Sequence, residues 1–344
     1  MIYFRVDSNS TISAGHVMRC LAVAETMRLR DVPCMFLCAD GQSSELIGSK
    51  GFECTVLDGD WRNLDIELPR LSGLLREDVN PVLLIDTYSV NPAYVKKLHK
   101  DAKICYLGSK LLIAPELRLL VNYSTKIDVS FYERAYKTSS TKLCLGPSFA
   151  PLRREFADQS VPDRSGVRSV LITTGNTDNE GLIDALLADV LSSKPLSNVR
   201  FKVVVGPLFR RIDQLKSRYG NHAMVDLLFD VNDMSAIMRN VDLAVSACGT
   251  TLYELAACGV PTVGFSLVSE QSESGSSLSE LGVIDYAGDA YEKGSDCVRR
   301  IVSSLEQLVA NGEKRSAMAK RFHKLSDGRG CDRICDELML LCES

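Results

Sequence analysis

Ile2-Tyr3-Phe4-Arg5-Val6-Asp7-Ser8-Asn9-Ser10-Thr11-Ile12-Ser13-Ala14-Gly15-His16-Val17-Met18-Arg19 stands at the start of the sequence. Residues 2–6 form a short apolar run that reads as a buried strand. Residues 7–10 are a turn cluster. From residue 16 to residue 30 the period is helical, with Val17, Leu21, Ala24 and Met27 near one face. This strand–loop–helix unit recurs along the chain. Further strands are expected at 34–38, 54–57, 81–86 and 103–107, with helices at 43–50, 68–77 and 92–100. Such alternation implies a parallel sheet covered on both faces.

The period fades over 122–165, which reads as a connecting segment with the domain boundary inside 151–165. A second series starts at 168, with strands at 170–174, 201–205, 225–228, 243–246 and 262–265 and helices between them. Helical pattern runs over 291–322 and again over 331–341. The expected organisation is an N-terminal domain at 1–150, a second domain at 166–326 and a C-terminal helix within 327–344. The fold class is α/β, with two Rossmann-like doubly wound domains and an interdomain cleft. Ligands in such sheets sit beyond the carboxyl ends of the strands.

Composition narrows the function classes. The 344 residues are 45% hydrophobic and 24% charged, which is ordinary for a globular chain. At roughly 150 residues per domain, two domains are expected. Forty basic against 44 acidic residues give a net charge of -4, with no basic excess to mark a nucleic-acid binder. No apolar run reaches the ~20 residues of a membrane helix. The first residues lack the basic and long apolar regions of a signal peptide. The 12 cysteines are scattered, many in apolar runs, without any CxxC pair. That argues against structural zinc and for buried reduced thiols in a cytoplasmic protein.

The carboxyl-end rule selects three loops. The first is residues 7–19, where Gly15 permits close backbone approach or positive φ and His16 opens a helix. Free N–H groups there suit an anion, and the positive helix end favours a neutral, base-competent imidazole. A capping loop with a surface histidine is the plain alternative. The second is Ser246-Ala247-Cys248-Gly249-Thr250-Thr251-Leu252-Tyr253-Glu254. Gly249 lets a ligand approach. The hydroxyls and N–H groups of Thr250 and Thr251 suit a diphosphate. Glu254, one turn into the helix, suits a ribose diol. Here the plain alternative is a Thr-capped helix with an exposed Glu. Glu270 and Gln271, read as part of the loop after the next strand, could meet sugar hydroxyls. The third loop is Thr174-Gly175-Asn176-Thr177-Asp178. The remaining histidines, His99, His222 and His323, read as surface residues.

FRVDSNSTISAGHVMRCLAVAETM (4–27), LLIDTYSVNPAYVKKL (83–98), LGPSFAPLRREF (145–156), TTGNTDNEGL (173–182), DVNDMSAIMRNVDLAVSACGTTLYELAACGVPTVGF (230–265) and SDGRGCDRIC (326–335) together resemble the PseG family of UDP-sugar hydrolases and SpsG-type spore-coat polysaccharide proteins. The second half is similar to the donor-binding domain of MurG-like glycosyltransferases. The resemblance implies a GT-B fold. It implies an inverting hydrolase that releases UDP from a UDP-diacetamido-trideoxy sugar in nonulosonic acid or surface polysaccharide biosynthesis. It further implies no metal or other cofactor, a catalytic His16, a ribose-binding Glu254, a diphosphate loop at Gly249, Thr250 and Thr251, and substrate contacts from Asp7, Gly15, Tyr88, Gly175, Asn176, Glu270 and Gln271. Four positions depart from the family pattern. Ser13, Asn176 and Cys248 stand where glycines are usual, and Glu270 stands where the pattern has Asn. Glu270 would repel an anionic substituent or bind an amine.

The expected partner is a UDP-sugar, with no nucleic acid, no membrane span and a monomeric state. Water attack at an anomeric carbon needs a positioned base, which His16 supplies. No paired carboxylates can be placed for a two-carboxylate glycosidase. A GT-B glycosyltransferase and a non-catalytic sugar-nucleotide-binding protein are the alternatives. The first would require an acceptor groove, and the second would not require the Gly15-His16 pair.

Overall fold

The structure is a computed structural model that describes residues 1–9, 12, 14–157, 160–162, 166–175, 177–178, 181–206 and 208–343. The expectations placed on Ser13 and Asn176 therefore lie outside the described residues. The chain divides into two compact units. The first is Met1–Arg154 with Gly328–Ser344, and the second is Glu155–Asp327.

The first unit runs β1 (Ile2–Val6), α1 (Gly15–Arg28), β2 (Cys34–Cys38), α2 (Ser44–Ser49), β3 (Glu53–Val56), α3 (Leu68–Arg76), β4 (Val82–Asp86), α4 (Pro92–Leu98), β5 (Lys103–Leu107), β6 (Leu119–Asn122), α5 (Val129–Ala135) and β7 (Lys142–Leu145). The second runs β8 (Ser169–Thr173), α6 (Leu182–Ser192), β9 (Arg200–Val204), α7 (Ile212–Tyr219), β10 (Val225–Leu228), α8 (Met234–Arg239), β11 (Leu243–Ala247), α9 (Thr251–Ala257), β12 (Thr262–Ser266), α10 (Ser269–Glu280), β13 (Asp285–Asp289), α11 (Ala290–Ala310) and α12 (Gly312–Leu325). α13 (Gly330–Glu343) then returns to the first unit.

Both sheets are wholly parallel. Their strand orders are β3-β2-β1-β4-β5-β6-β7 and β10-β9-β8-β11-β12-β13. Each sheet has one place where the order reverses, between β1 and β4 in the first and between β8 and β11 in the second. At such a switch point the loops leave in opposite directions and open a crevice. β1 and β4 are buried along their whole length, as strands covered on both faces must be.

Four sequence expectations are corrected. Residues 122–165 are not one connecting segment, since α5 and β7 continue the alternation and β6 precedes them. Those elements are only four to seven residues long, too short to show a period. β13, of sequence DYAGD, was absent from the expected strands. It is a half-buried edge strand with an irregular register, so its composition carries little strand signal. The run at 291–322 breaks at Asn311, whose side chain accepts from Lys314 N and caps α12. Glu270 and Gln271 lie in the first turn of α10, not in a loop.

α1 buries Cys20, Ala22 and Val23 as well as the apolar face read from its sequence. α13 accounts for this, because it packs on α1 and its Cys335 Sγ lies 3.6 Å from Val23 O. Arg30 reaches Asp332 and Asp336. All 12 cysteines are free thiols, and nine of them are buried. Among the described residues no helix is long and apolar enough to cross a membrane.

The start of α13 requires a glycine. A Cβ on Gly330 would stand 2.0 Å from Ala150 O and 2.6 Å from Ala150 C, and backbone cannot step aside as a side-chain tip can. Gly73, inside α3, has nothing within 4 Å of its Cβ position. Gly330→Ala is therefore expected to destabilise the first unit by about 1–3 kcal/mol. Gly73→Ala is expected to stabilise it by up to ~1 kcal/mol. The single tryptophan, Trp61, lies in this unit and reports its urea unfolding. An unmoved midpoint for Gly330→Ala would contradict the proposed packing.

Candidate active site

In the first unit the switch point is lined by the ends of β1 and β4, where Val6 pairs in register with Asp86. His16 stands in the first turn of α1 and is only 4% exposed. Its Nδ1 lies 2.6 Å from Asp86 Oδ1. Arg19, one helical turn on, donates from Nε to Asp86 Oδ2 at 2.5 Å and from Nη2 to Asp86 Oδ1. Its Nη2 also lies 2.7 Å from His16 Nδ1. Cys20 Sγ approaches Asp86 Oδ2 at 3.6 Å. His16 Nε2 is buried and has no hydrogen-bond partner among the described residues.

Burial alone would raise the pKa of Asp86. The Arg19 charge, with hydrogen bonds from His16 and Arg19, outweighs burial and holds the carboxyl below its ordinary value. Asp86 is therefore an anion at neutral pH, paired on both oxygens. Tyr88, exposed at 57%, makes a T-shaped contact with the His16 ring with centroids 4.5 Å apart. Lys110 Nζ holds the backbone there by donating to Tyr88 O and Val90 O.

Asp7 is placed differently. Its Oδ2 takes Arg5 Nη1 at 2.5 Å and its Oδ1 takes Ala39 N at 2.7 Å. Arg5 is fully buried and also grips Glu67 with two bonds, while Tyr94 OH donates to Glu67. Both Asp7 oxygens thus anchor the departing loop. Ser8 N completes the anchor by donating to Ser43 Oγ. Gly15 is the first residue of α1 and has no positive φ. Sequence reading missed Asp86 and Arg19 as site residues. Arg19 was findable at i+3 from His16 on one helix face. Asp86 is 70 positions away from His16, and only strand order brings the two together.

In the second unit a cavity of about 380 Å³ opens at the carboxyl ends of β8, β9 and β10. It unites Gly175, Thr251 and Glu254, three of the residues expected from sequence. Thr173, Val204 to Gly206, Asp230 to Asn232 and Met234 complete its lining. Those positions were not among the expected site residues, although applying the carboxyl-end rule to β9 and β10 would have reached them. Gly175 adopts φ +82° with no atom within 4 Å of a Cβ position, so its backbone conformation rather than crowding favours glycine.

Thr250 is the N-cap of α9 without a side-chain capping bond, which leaves its hydroxyl available. Gln271 stands outside the cavity lining, but its Nε2 would lie 3.7 Å from a Gly249 Cβ, and its Oε1 accepts from Leu267 N. Glu270 is exposed, with Ser269 Oγ donating to it. Cys248 is buried and points to the core beside Gly264, and burial pushes its thiol up to about 12. Asp178 caps α6 by accepting from Leu182 N and Ile183 N. His99 and His222 are exposed, whereas His323 is half-buried with Nδ1 2.9 Å from Ala257 O, which corrects the surface placement expected for it.

No protein-family profile matches the chain. It is 24% identical over 341 residues to the spore coat polysaccharide biosynthesis protein SpsG of Bacillus subtilis, spanning 96% of this chain and 95% of that protein. It is 23% identical over 256 residues to the UDP-2,4-diacetamido-2,4,6-trideoxy-beta-L-altropyranose hydrolase of Campylobacter jejuni, spanning 74% of this chain and 86% of the relative. The crystal structure of Acinetobacter baumannii MurG superposes with a TM-score of 0.69 at 12% identity, covering 98% of this chain and 99% of that one. The chain therefore has the two-sheet GT-B fold of MurG, and the likeness its motifs show to SpsG- and PseG-type proteins extends along most of its length.

Proposed function

We propose that this chain acts on a nucleotide sugar in polysaccharide biosynthesis, and that its reaction is hydrolysis of a UDP-diacetamido-trideoxy hexose with release of UDP. The observation that carries the reading is His16. Its Nδ1 is engaged by a buried carboxylate, while its Nε2 is buried, without a partner among the described residues and left to accept a proton. In this reading Nε2 takes a proton from water as the water oxygen bonds to the anomeric carbon. The bond from that carbon to the diphosphate oxygen breaks, with inversion, and its electron pair leaves with UDP. Tyr88, exposed beside the imidazole, is positioned for the sugar.

The second unit carries the nucleotide in this reading. Val204, Val205, Val231 and Met234 supply an apolar wall for a base, and Glu254 supplies a carboxylate for the ribose hydroxyls. Thr250 and Thr251 supply N–H and hydroxyl donors for the diphosphate, and Gly249 leaves the space beside them open. A glycosyltransferase would use the same donor pocket. UDP release with water as sole acceptor separates the two readings, and the similarity to the Campylobacter jejuni hydrolase favours water.

Three outcomes are expected. Glu254→Ala should weaken UDP binding by roughly 1.5–3 kcal/mol, the worth of a charged hydrogen bond, as read by calorimetry. Unchanged affinity would remove the nucleotide assignment. Activity should survive EDTA, because helix and loop N–H groups take the diphosphate charge in this scheme. Loss on chelation with recovery on magnesium would overturn that part. His16→Ala should keep UDP affinity while turnover falls by about two to four orders of magnitude. His16→Asn should not restore turnover, since an amide cannot take the proton of water. Substantial turnover by His16→Asn would reduce His16 to a hydrogen-bond donor.

A further inference from the structure

His16 Nδ1 faces an acceptor and a donor at nearly equal distance, with Asp86 Oδ1 at 2.6 Å and Arg19 Nη2 at 2.7 Å. One ring nitrogen cannot serve both. If it carries the proton, it donates to Asp86 and leaves Nε2 bare. If it is bare, it accepts from Arg19, and Nε2 carries the proton. The second arrangement sets the Nδ1 lone pair against a carboxylate lone pair 2.6 Å away. The first sets two donors, Arg19 Nη2–H and Nδ1–H, 2.7 Å apart, but both converge on the two lone pairs of one anionic oxygen, which attracts each of them. The negative charge on Asp86, the nearer of the two neighbours, therefore favours the Nδ1–H tautomer.

A carboxylate alone beside an imidazole also favours the imidazolium, which has no lone pair for water. Here the carboxylate is already neutralised. Arg19 forks onto both Asp86 oxygens, is 13% exposed in its side chain and cannot lose its proton. Cys20, Tyr106 and Tyr123 are held in their neutral forms. Cys20, on α1, is raised by burial and by Asp86. Tyr106, on β5, and Tyr123, after β6, are raised by burial. Tyr88 meets the imidazole in a T-shaped ring contact. Asp86 and Arg19 are the charged groups that touch the His16 ring.

We propose that Arg19 is a positioning residue that cancels the charge of Asp86 and so keeps His16 neutral, protonated on Nδ1 and bare on Nε2. The proposal rests on the reading of His16 as the base, and it assigns Arg19 a task separate from contact with substrate. It also changes the expectation drawn from sequence, since the control of the ring comes from this ion pair rather than from the helix end alone.

The test uses the whole protein labelled with 15N, with the His16 signals identified by their loss in His16→Asn. Near neutral pH the wild type should show a protonated Nδ1 and a bare Nε2. Arg19→Met should convert the ring to the imidazolium. The low-pH limb of turnover on UDP-2,4-diacetamido-2,4,6-trideoxy-beta-L-altropyranose should then move upward by about 1–3 pH units. UDP affinity should stay unchanged. Arg19→Lys, which keeps the charge, should hold the limb near that of the wild type. Arg19→Met combined with Asp86→Asn removes both charges and should bring the limb back. A proton on Nε2 in the wild type would overturn the proposal without any variant. So would an Arg19→Met ring and limb that do not move, or an Arg19→Lys limb that moves as far as that of Arg19→Met. Turnover by His16→Asn would instead defeat the base reading, while the 15N spectra would still decide how Arg19 sets the ring.

Discussion

Asp86 ends β4 with its carboxylate 1% exposed, and that burial constrains the chain around it. A buried anion survives only with close donors, and removing one partner of such a pair costs about 3–5 kcal/mol. Its neighbour across the switch point intensifies the demand. Val6 pairs with Asp86, so Asp7 leaves the adjacent strand with a second buried carboxylate. Each is given its own guanidinium, Arg5 for Asp7 and Arg19 for Asp86. Arg5 lies on β1 itself and reaches down to Glu67. Arg19 has to come from α1, so α1 must start close enough for one turn to span His16 and Arg19. These two anchors fix where β1 ends and where α1 begins, and among the described residues His16 Nε2 is left without a partner once Nδ1 serves Asp86.

The second unit meets the same topology with different chemistry. Its switch point holds no buried ion pair of this kind among the described residues around the cavity. Thr173, Gly175, Gly249 and Thr251 place hydroxyls and bare backbone at the strand ends instead. Backbone N–H groups and hydroxyls suit a ligand that brings its own negative charge. A fixed carboxylate–guanidinium pair beside an imidazole suits a proton. One architecture thus appears twice in the chain, and in the proposed reading one copy serves an anion and the other an acid–base step.

Much of this was legible before any coordinates. Apolar strands of four or five residues alternating with helices point to the layer order, and the strand-to-helix junctions direct attention to His16, Gly249, Thr251 and Glu254. Short or polar elements escaped, for stated physical reasons. β6 and β7 have four residues each, and β13 contains two aspartates and a glycine. α10, of sequence SEQSESGSSLSE, is serine-rich and polar, and it is held in place by close packing of Gly275 against the Tyr286 ring. Such packing is tertiary and leaves no local period. Asp86 escaped as a site residue for a related reason. In sequence it is only the polar end of an apolar run, and its meaning depends on β4 lying beside β1.

The departures from the family pattern can now be weighed by where their side chains go. Cys248 occupies a glycine position, but its side chain turns into the core beside Gly264, so the loop backbone keeps its open face toward Gly249. That substitution costs the loop little. Glu270 differs in kind, because it is exposed in the first turn of α10, next to Gln271, whose amide lies by Gly249. An Asn-to-Glu change there replaces a group that can donate and accept with one that only accepts and carries charge. In the proposed reading, the sugar substituent that meets this turn must therefore be a donor. An N-acetyl N–H or a free amine satisfies that condition, and a carboxylate does not.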